Sequence, residues 1–177
     1  MKELKSYFEG LLDRTSVKVK NIDLIHDIIE QFLKENYDIY GAYIINKTKS
    51  RYIVDVKGTV RVKNKDISSL TNEYFEFGSV NREFDCTYCN SLTTLEGAPE
   101  EVGGDFACVG CSSIKTLEGA PEEVGGDFAC SFCKSLKSLK GAPEKVGGEF
   151  DCRNCHVRFK IEDVTRYIKM DVGNICT

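Results

Sequence analysis

The middle of the chain repeats with a period of 22 residues. The segment FACVGCSSIKTLEGAPEEVGGD starts at Phe106, and related segments start at Phe84, Phe128 and Phe150. Repeats of this length form solenoids, in which each coil buries its apolar side chains against the neighbouring coils only. One coil alone buries too little apolar surface to offset the entropy lost on ordering its backbone, so the period predicts a stacked array.

The residue pattern of one coil predicts which side chains face the core. In the coil that begins at Val102, the F-x-C alternation predicts a short strand with Phe106 and Cys108 inward. The later apolar positions are spaced by three or four, which predicts a turn-rich return instead of a second long strand. Bends are expected at Gly103–Gly104, through positive φ, and at the G-A-P sequence. The other expected inward positions are Cys111, Ile114, Leu117, Ala120 and Val124.

The residues before the repeats have different periodicities. Residues 2–12 and 21–36 show the apolar spacing of amphipathic helices. Residues 39–45 and 51–56 are rich in Tyr, Ile and Val and surround the polar sequence NKTKS, which predicts a β-hairpin. We expect the helices to cap the array and the hairpin to lead into it.

Degenerate coils are predicted at both ends of the array. Val60 and Val62 occupy the places of the inward Phe and the first Cys of the repeat. After the last cysteine pair, residues 161–169 predict a short helix, and residues 171–177 predict a closing edge strand. Terminal repeats face water and are therefore expected to be atypical. The predicted organisation is an N-terminal helical cap, a hairpin with a degenerate first coil, the repeat solenoid and a C-terminal cap, over residues 1–39, 40–79, 80–160 and 161–177.

Composition and charge limit the classes of function. No stretch reaches the length of a membrane span and the first residues lack the apolar run of a signal peptide, so we expect a soluble, cytoplasmic protein. Nine cysteines in such a chain indicate reduced thiols or a metal site instead of a disulfide framework. Residues 81–151 carry 13 of the 28 acidic side chains but 6 of the 24 basic ones. This balance disfavours direct binding to a nucleic-acid backbone and excludes nothing else.

Eight of the cysteines recur with the repeat, and three interpretations compete. The spacing C-x2-C-x18-C-x2-C is also that of a zinc ribbon. Val62 and Lys65 stand at the cysteine positions of the degenerate coil, which favours small buried core groups over metal ligands. A thioredoxin-like role would need one activated thiolate at a helix N-terminus, whereas these copies lie in strands. We therefore predict a structural ladder without metal, made of Cys86, Cys89, Cys108, Cys111, Cys130, Cys133, Cys152 and Cys155.

One acidic set predicts a binding surface. A carboxylate precedes the inward Phe in each full coil, and stacked like charges on neighbouring strands destabilise a sheet. Two interpretations of this column compete: a solvated sheet face without a partner, and a docking face for a basic partner whose cost folding does not require. Further acidic residues and two aromatic residues lie beside it as possible anchors. The predicted partner-binding residues are Glu83, Asp85, Asp105, Asp127, Glu149, Asp151, Tyr88 and Phe132.

The repeat F-x-C-x-x-C-x-S-L-x-S-L-x-G-A-P-x-x-V-G-G-x-F resembles the short leucine-rich-repeat-like arrays of uncharacterised tailed-bacteriophage proteins, over about residues 54–155. It is also similar to the general pattern L-x-L-x-x-(N/C), which implies that the second cysteine of each pair bonds the turn backbone. The resemblance implies phage origin and a binding role but no reaction. The resulting fold prediction is an α+β, leucine-rich-repeat-like parallel β-solenoid with N-terminal and C-terminal caps.

The expected function is binding without catalysis. The chain has two histidines and lacks G-x-S-x-G, H-E-x-x-H and phosphate-loop motifs, so no catalytic residues and no cofactor are predicted. The expected partner is a host protein with a basic surface, such as a nuclease or another defence factor, which the chain would inhibit. A zinc-binding structural or assembly protein is the first alternative. The second is a nucleic-acid binder that uses Lys134, Lys137, Lys140, Arg153, Arg158 and Lys160.

Overall fold

The computed structural model describes residues 21–177, so the helix predicted over residues 2–12 lies outside the described residues. The described chain begins with a helix and three longer strands: α1 (Asn21–Asn36), β1 (Tyr37–Lys47), β2 (Tyr52–Val62) and β3 (Phe75–Val80). Seven two-residue strands follow: β4 (Phe84–Asp85), β5 (Glu101–Val102), β6 (Phe106–Ala107), β7 (Glu123–Val124), β8 (Phe128–Ala129), β9 (Lys145–Val146) and β10 (Phe150–Asp151). The C-terminal elements are α2 (Ile161–Thr165), a 3-10 turn (Val172–Asn174) and β11 (Ile175–Cys176).

The strands form a parallel β-solenoid of about six turns, as the repeat predicts. The solenoid has two columns of stacked strands, and strand β2 begins both. The first half of β2 pairs in parallel with β3, and the second half pairs in parallel with β4. One column then runs through β3, β5, β7 and β9, and the other through β4, β6, β8, β10 and β11. Each coil thus contributes a second short strand before its glycine corner, which the sequence interpretation did not include.

The core is a stack of identical side chains in register. Phe106 pairs with Phe128, and the rings of these two residues are stacked with centroids 5.2 Å apart and planes 8° apart. The phenylalanines and the first cysteines of the coils are buried, so the predicted inward positions are confirmed. Parallel pairing in exact register forces this stacking, since every coil repeats the same residue at the same height.

The role predicted for the paired glycines is wrong. Gly103 and Gly104 do not have positive φ; a Cβ at Gly103 would lie 2.5 Å from the carbonyl oxygen of Asn81 in the preceding coil. The corners of neighbouring coils therefore pack backbone against backbone, and only glycine allows that approach. Positive φ occurs instead in the G-A-P turn, where φ is +85° at Gly119.

The N-terminal helix and hairpin are present as predicted. In α1, Ile29 and Leu33 are buried, and the Phe32 ring packs edge-on against Phe75 with centroids 6.0 Å apart. Strands β1 and β2 pair antiparallel over their whole length, so both extend beyond the predicted hairpin. Because β2 continues until Val62, the hairpin strand and the first coil are one continuous strand, with Val60 opposite Phe84.

The C-terminal segment differs from the prediction in the length of its helix. Helix α2 ends at Thr165, because the following turn bonds the Tyr167 N–H to the Val164 oxygen at 2.9 Å and brings Ile168 into the core. The predicted edge strand is present as β11, in which Ile175 pairs with Phe150. The edge of strand β10 in the last coil is therefore covered by hydrogen bonds to β11.

Candidate partner-binding face

The predicted binding residues lie along one side of the solenoid. We call this side the outer face: the outward side of strands β4, β6, β8 and β10, together with the C-x-x-C turns that follow them. The parallel register places equivalent residues of successive coils next to one another, so the acidic residues before each inward Phe form a column. Asp105, Asp127 and Glu149 are exposed in this column, and Glu83 is half-buried.

Two carboxylates of the acidic column hold the backbone of the next coil. The Asp127 N–H donates to Asp105 Oδ1 at 2.8 Å, and the Glu149 N–H donates to Asp127 Oδ1 at 2.8 Å. The premise that folding does not require these carboxylates is therefore wrong for Asp105 and Asp127. Glycine precedes each bonded N–H because a Cβ at Gly126 or Gly148 would collide with the carboxylate oxygen.

Arginines neutralise the two ends of the outer face. Arg61 lies 3.4 Å from Glu83 and 3.6 Å from Asp85, measured between nitrogen and carboxylate oxygen. Arg153 Nε donates to Asp151 Oδ1 at 2.9 Å. Partial burial opposes ionisation of Asp151, but hydrogen bonds from Arg153 outweigh it and lower the pKa of this carboxyl.

Negative charge without a paired cation thus extends from the middle of the outer face to Glu149. Within residues 21–177, Asp105, Asp127 and Glu149 form no ion pair, in contrast to Glu83, Asp85 and Asp151. The side chains beside them are small, because Ala107 and Ala129 follow the inward phenylalanines. The centre is therefore a flat acidic area. The sequence interpretation considered Arg153 only for nucleic-acid binding and did not include the pairing of Arg61 with Glu83 and Asp85.

The two predicted aromatic anchors share an unusual backbone conformation. The third residue of every C-x-x-C turn has positive φ: 59° at Tyr88, 70° at Gly110, 60° at Phe132 and 58° at Asn154. Glycine and asparagine adopt this left-handed region readily, whereas large side chains in it are strained by about 1–3 kcal/mol. Tyr88 and Phe132 are also 62% and 50% exposed, so burial in the core does not compensate for the strain.

The Tyr88 ring reaches toward the next coil, whereas the Phe132 ring contacts a lysine of its own coil. A Cβ on Gly110 would lie 2.5 Å from Cδ1 of Tyr88, so the tyrosine ring covers the glycine. The Phe132 ring contacts a cation, with Lys134 Nζ 5.5 Å from its centroid, and the same Nζ donates to the Asn154 oxygen at 2.9 Å. Aromatic and small residues therefore alternate along this column, one coil apart.

The cysteines form two buried columns with regular hydrogen bonds. The second thiol of a coil donates to the carbonyl of the first cysteine of the preceding coil: Cys111 Sγ to Cys86 O at 3.0 Å, and Cys133 Sγ to Cys108 O at 3.2 Å. Cys155, which is partly buried, repeats the bond at 3.2 Å. No group of three or more His, Cys, Asp or Glu side chains in the described part of the chain is arranged to hold a metal ion.

A hydrogen bond with Cys108 lowers the pKa of Cys133, whereas several other thiols are held in the protonated form by burial. Burial raises the pKa of Cys89 and Cys152 to about 12, and that of Cys155 to about 11. A thiol that stays protonated at neutral pH is a poor nucleophile. The geometry therefore makes these cysteines hydrogen-bond donors and core packing groups.

Half of the cations considered for nucleic-acid binding are engaged locally. Lys140 Nζ lies 2.7 Å from Glu118 Oε1, Arg153 pairs with Asp151, and Lys134 bonds the turn of the next coil. The ion pairs of Lys140 and Arg153 offset the positive charge that these side chains offer to a phosphate backbone, whereas Lys134 keeps its charge.

Comparison with protein-family models, with curated proteins and with solved structures yields no match. Among the described residues, no helix combines the length and the apolar character needed to cross a bilayer. The functional conclusion is therefore argued from the residues of this chain.

Proposed function

We propose that this chain is a non-catalytic protein-binding module whose contact surface is the outer face. The observation that carries the proposal is the left-handed backbone at Tyr88 and Phe132, two large and exposed side chains. Gly110 and Asn154 occupy the same position in the alternate coils without that strain. Folding alone favours the small residues, so the aromatic ones are attributed to binding.

The composition of the outer face supports a protein partner. Exposed aromatic residues dominate the affinity of many protein interfaces, and here they flank a flat area of small side chains. The carboxylates of Asp105 and Asp127, which form no ion pair with residues 21–177, add negative potential at the centre, which attracts a basic surface and accelerates association. The partner proposed is therefore a protein with a basic surface.

The resemblance to short phage repeat arrays directs the choice of partner. On the basis of this resemblance, the chain is proposed to be a phage-encoded inhibitor of a bacterial defence protein. An example is a nuclease whose basic cleft the acidic area would cover. This assignment rests on the resemblance, whereas the contact residues rest on the geometry of the outer face.

Capture from a bacterial lysate, followed by mass spectrometry, tests the proposal. Three proteins are compared: wild type, the variant Tyr88→Gly with Phe132→Gly, and the control Tyr167→Ser, which removes an exposed aromatic residue outside the outer face. The partner is the protein that wild type and control retain and the glycine variant loses. The absence of any protein with that behaviour would contradict the proposal.

The charge of the outer face is tested on the purified partner. The variant Asp105→Asn with Asp127→Asn keeps an oxygen that accepts the backbone N–H but removes both charges. We expect slower association and a flatter dependence of affinity on ionic strength. An unchanged salt dependence would show that the carboxylates serve only the coil backbone.

A further inference from the structure

Strand β1 is a long edge strand whose outer side bonds nothing among residues 21–177. It spans eleven residues and pairs with β2 in one unbroken register. The other two ends of the sheet, β9 and β11, are only two residues long. Proteins blunt exposed edges with proline, bulges, charges or short length, but β1 has no proline and no bulge, and no charge between Asp38 and Lys47. Such an edge is a template for another strand.

The hydrogen bonds of β2 show which backbone groups of β1 face outward. The Val60 N–H and the oxygens of Val56 and Gly58 bond the following coil. Peptide groups alternate in direction along a strand, so the odd-numbered residues of β2 bond β1. Lys57 is paired with Ala42, so the even-numbered residues of β1 receive these bonds. The outward N–H and C=O groups are therefore those of Ile39, Gly41, Tyr43 and Ile45.

We infer that β1 pairs antiparallel with β1 of a second copy of this chain, with the two-fold axis at Ala42. Side-by-side antiparallel copies of one strand are related by such an axis, perpendicular to the sheet. In this register Ile39 faces Ile45 of the second copy, and Gly41 faces Tyr43. All the outward N–H and C=O groups between Ile39 and Ile45 then have partners, in pairs that exchange both hydrogen bonds.

The exposed side chains of β1 select this register. Tyr40 and Ile44 are large and 58% and 47% exposed. With the axis at Ala42, Tyr40 lies opposite Ile44 of the second copy in a non-hydrogen-bonded pair, where cross-strand side chains approach most closely. Moving the axis one residue in either direction would place one of the two against Ala42 and the other against Asp38 or Asn46. With the axis at Ala42, Asp38 faces Asn46, so no like charges meet.

The pairing joins the outer faces of two copies. Arg61 of β2 is opposite both Asp38 of β1 and Asp85 of β4, so the exposed side of β1 continues the outer face. The Arg61 guanidinium also lies over the Tyr40 ring, 5.7 Å from its centroid. A two-fold axis perpendicular to the sheet keeps both outer faces on the same side. The dimer therefore presents two equivalent outer faces on one surface, which makes it bivalent toward a partner.

Sedimentation velocity of the whole chain at increasing concentration tests the inference. We expect a reversible monomer–dimer equilibrium with a Kd below about 100 μM. The variants Ala42→Glu and Ala42→Lys each place like charges directly opposite each other at the axis, which should weaken the dimer at least about tenfold. The control Ser68→Glu adds the same charge as Ala42→Glu at an exposed position outside β1 and β2, and it should dimerise like wild type.

A mixture of the two Ala42 variants tests the register itself. Glutamate then faces lysine across the axis, so the mixture should form a heterodimer about as stable as the wild-type dimer, although neither variant dimerises well alone. Ala42 is exposed and Lys57 is its neighbour on β2, so each variant is expected to stay folded. Circular dichroism and the melting temperature verify this for both.

Three results would overturn the inference. A wild-type chain that stays monomeric at about 100 μM would leave the edge to residues 1–20 or to another protein. Dimerisation of both Ala42 variants as strong as that of wild type would place the contact elsewhere. Failure of the mixed variants to form a heterodimer would exclude the axis at Ala42. The proposed function is tested separately, because the lysate capture depends on Tyr88 and Phe132, which lie outside β1.

Discussion

The phenylalanine stack allows a quantitative test of how neighbouring coils stabilise each other. Phe106 and Phe128 are fully buried and stacked at 5.2 Å, so Phe128→Ala removes a ring from between two others and leaves a cavity. The expected loss in the free energy of unfolding is about 3–5 kcal/mol. Leucine retains most of the apolar volume, and Phe128→Leu or Phe106→Leu alone should cost about 1–1.5 kcal/mol.

Coupling between the two rings follows from a double-mutant cycle. Stacked aromatic pairs contribute about 0.5–1.5 kcal/mol beyond their buried area, so Phe106→Leu with Phe128→Leu should lose that much less than the sum of the single variants. The control pair is Phe84 and Phe128, which lie two coils apart with Phe106 between them. Their leucine variants should be additive.

Urea unfolding followed by circular dichroism measures these free energies, and an unchanged m value verifies that all variants unfold in the same transition. Equal coupling in the two pairs would refute the idea that stabilisation passes from ring to adjacent ring. A loss below about 1 kcal/mol for Phe128→Ala would mean that the inward assignment is shifted by one residue.

Three further predictions concern polar groups. Asp127→Ala removes the acceptor of the Glu149 N–H and should lower the free energy of unfolding, measured in urea, by about 1 kcal/mol. Asp127→Asn keeps an acceptor and should lower it by less than half of that. Equal losses in the two variants would contradict the hydrogen-bond ladder. Tyr37→Phe removes a buried hydroxyl that has no hydrogen-bond partner, so the free energy of unfolding should rise by about 1 kcal/mol, and a decrease would show that the hydroxyl is bonded. Above pH 9 stability should fall, because unfolded thiols ionise near pH 8.5 while burial holds the pKa of Cys89 at about 12 in the folded chain. Each such thiol accounts for about 1.4 kcal/mol per pH unit between the two pKa values, and a flat profile of melting temperature from about pH 8 to about pH 10 would contradict this.

The features predicted correctly from the sequence depend on one residue's position within its own repeat. Burial of Phe106 and Cys108 follows from alternation and period, and the pairing of Val60 with Phe84 follows from aligning the degenerate coil with the repeat. Helix α1 was predicted because its apolar spacing is strong and uninterrupted. Alternation, period and apolar spacing are local features of the sequence, and stacking of the coils does not change which residues they place in the core.

The features that were missed or wrong depend on contacts between coils. The carboxylate of Asp105 bonds an N–H that lies 22 residues later, and Gly103 is needed because the Asn81 carbonyl of the preceding coil lies against it. Composition and alternation do not show how closely the backbones of neighbouring coils approach each other at their glycine corners. Like charges one coil apart therefore resembled an unfavourable column, although Asp105 and Asp127 compensate through hydrogen bonds to the backbone.

The left-handed turn position shows how a repeat array supplies its own reference. Four coils place the third residue of C-x-x-C in the same conformation, so the backbone requirement is constant while the side chain differs. Comparing Tyr88 with Gly110 therefore separates what folding requires from what it only tolerates. A residue that is strained in one coil, when the neighbouring coil has a relaxed alternative, is maintained for some reason other than stability.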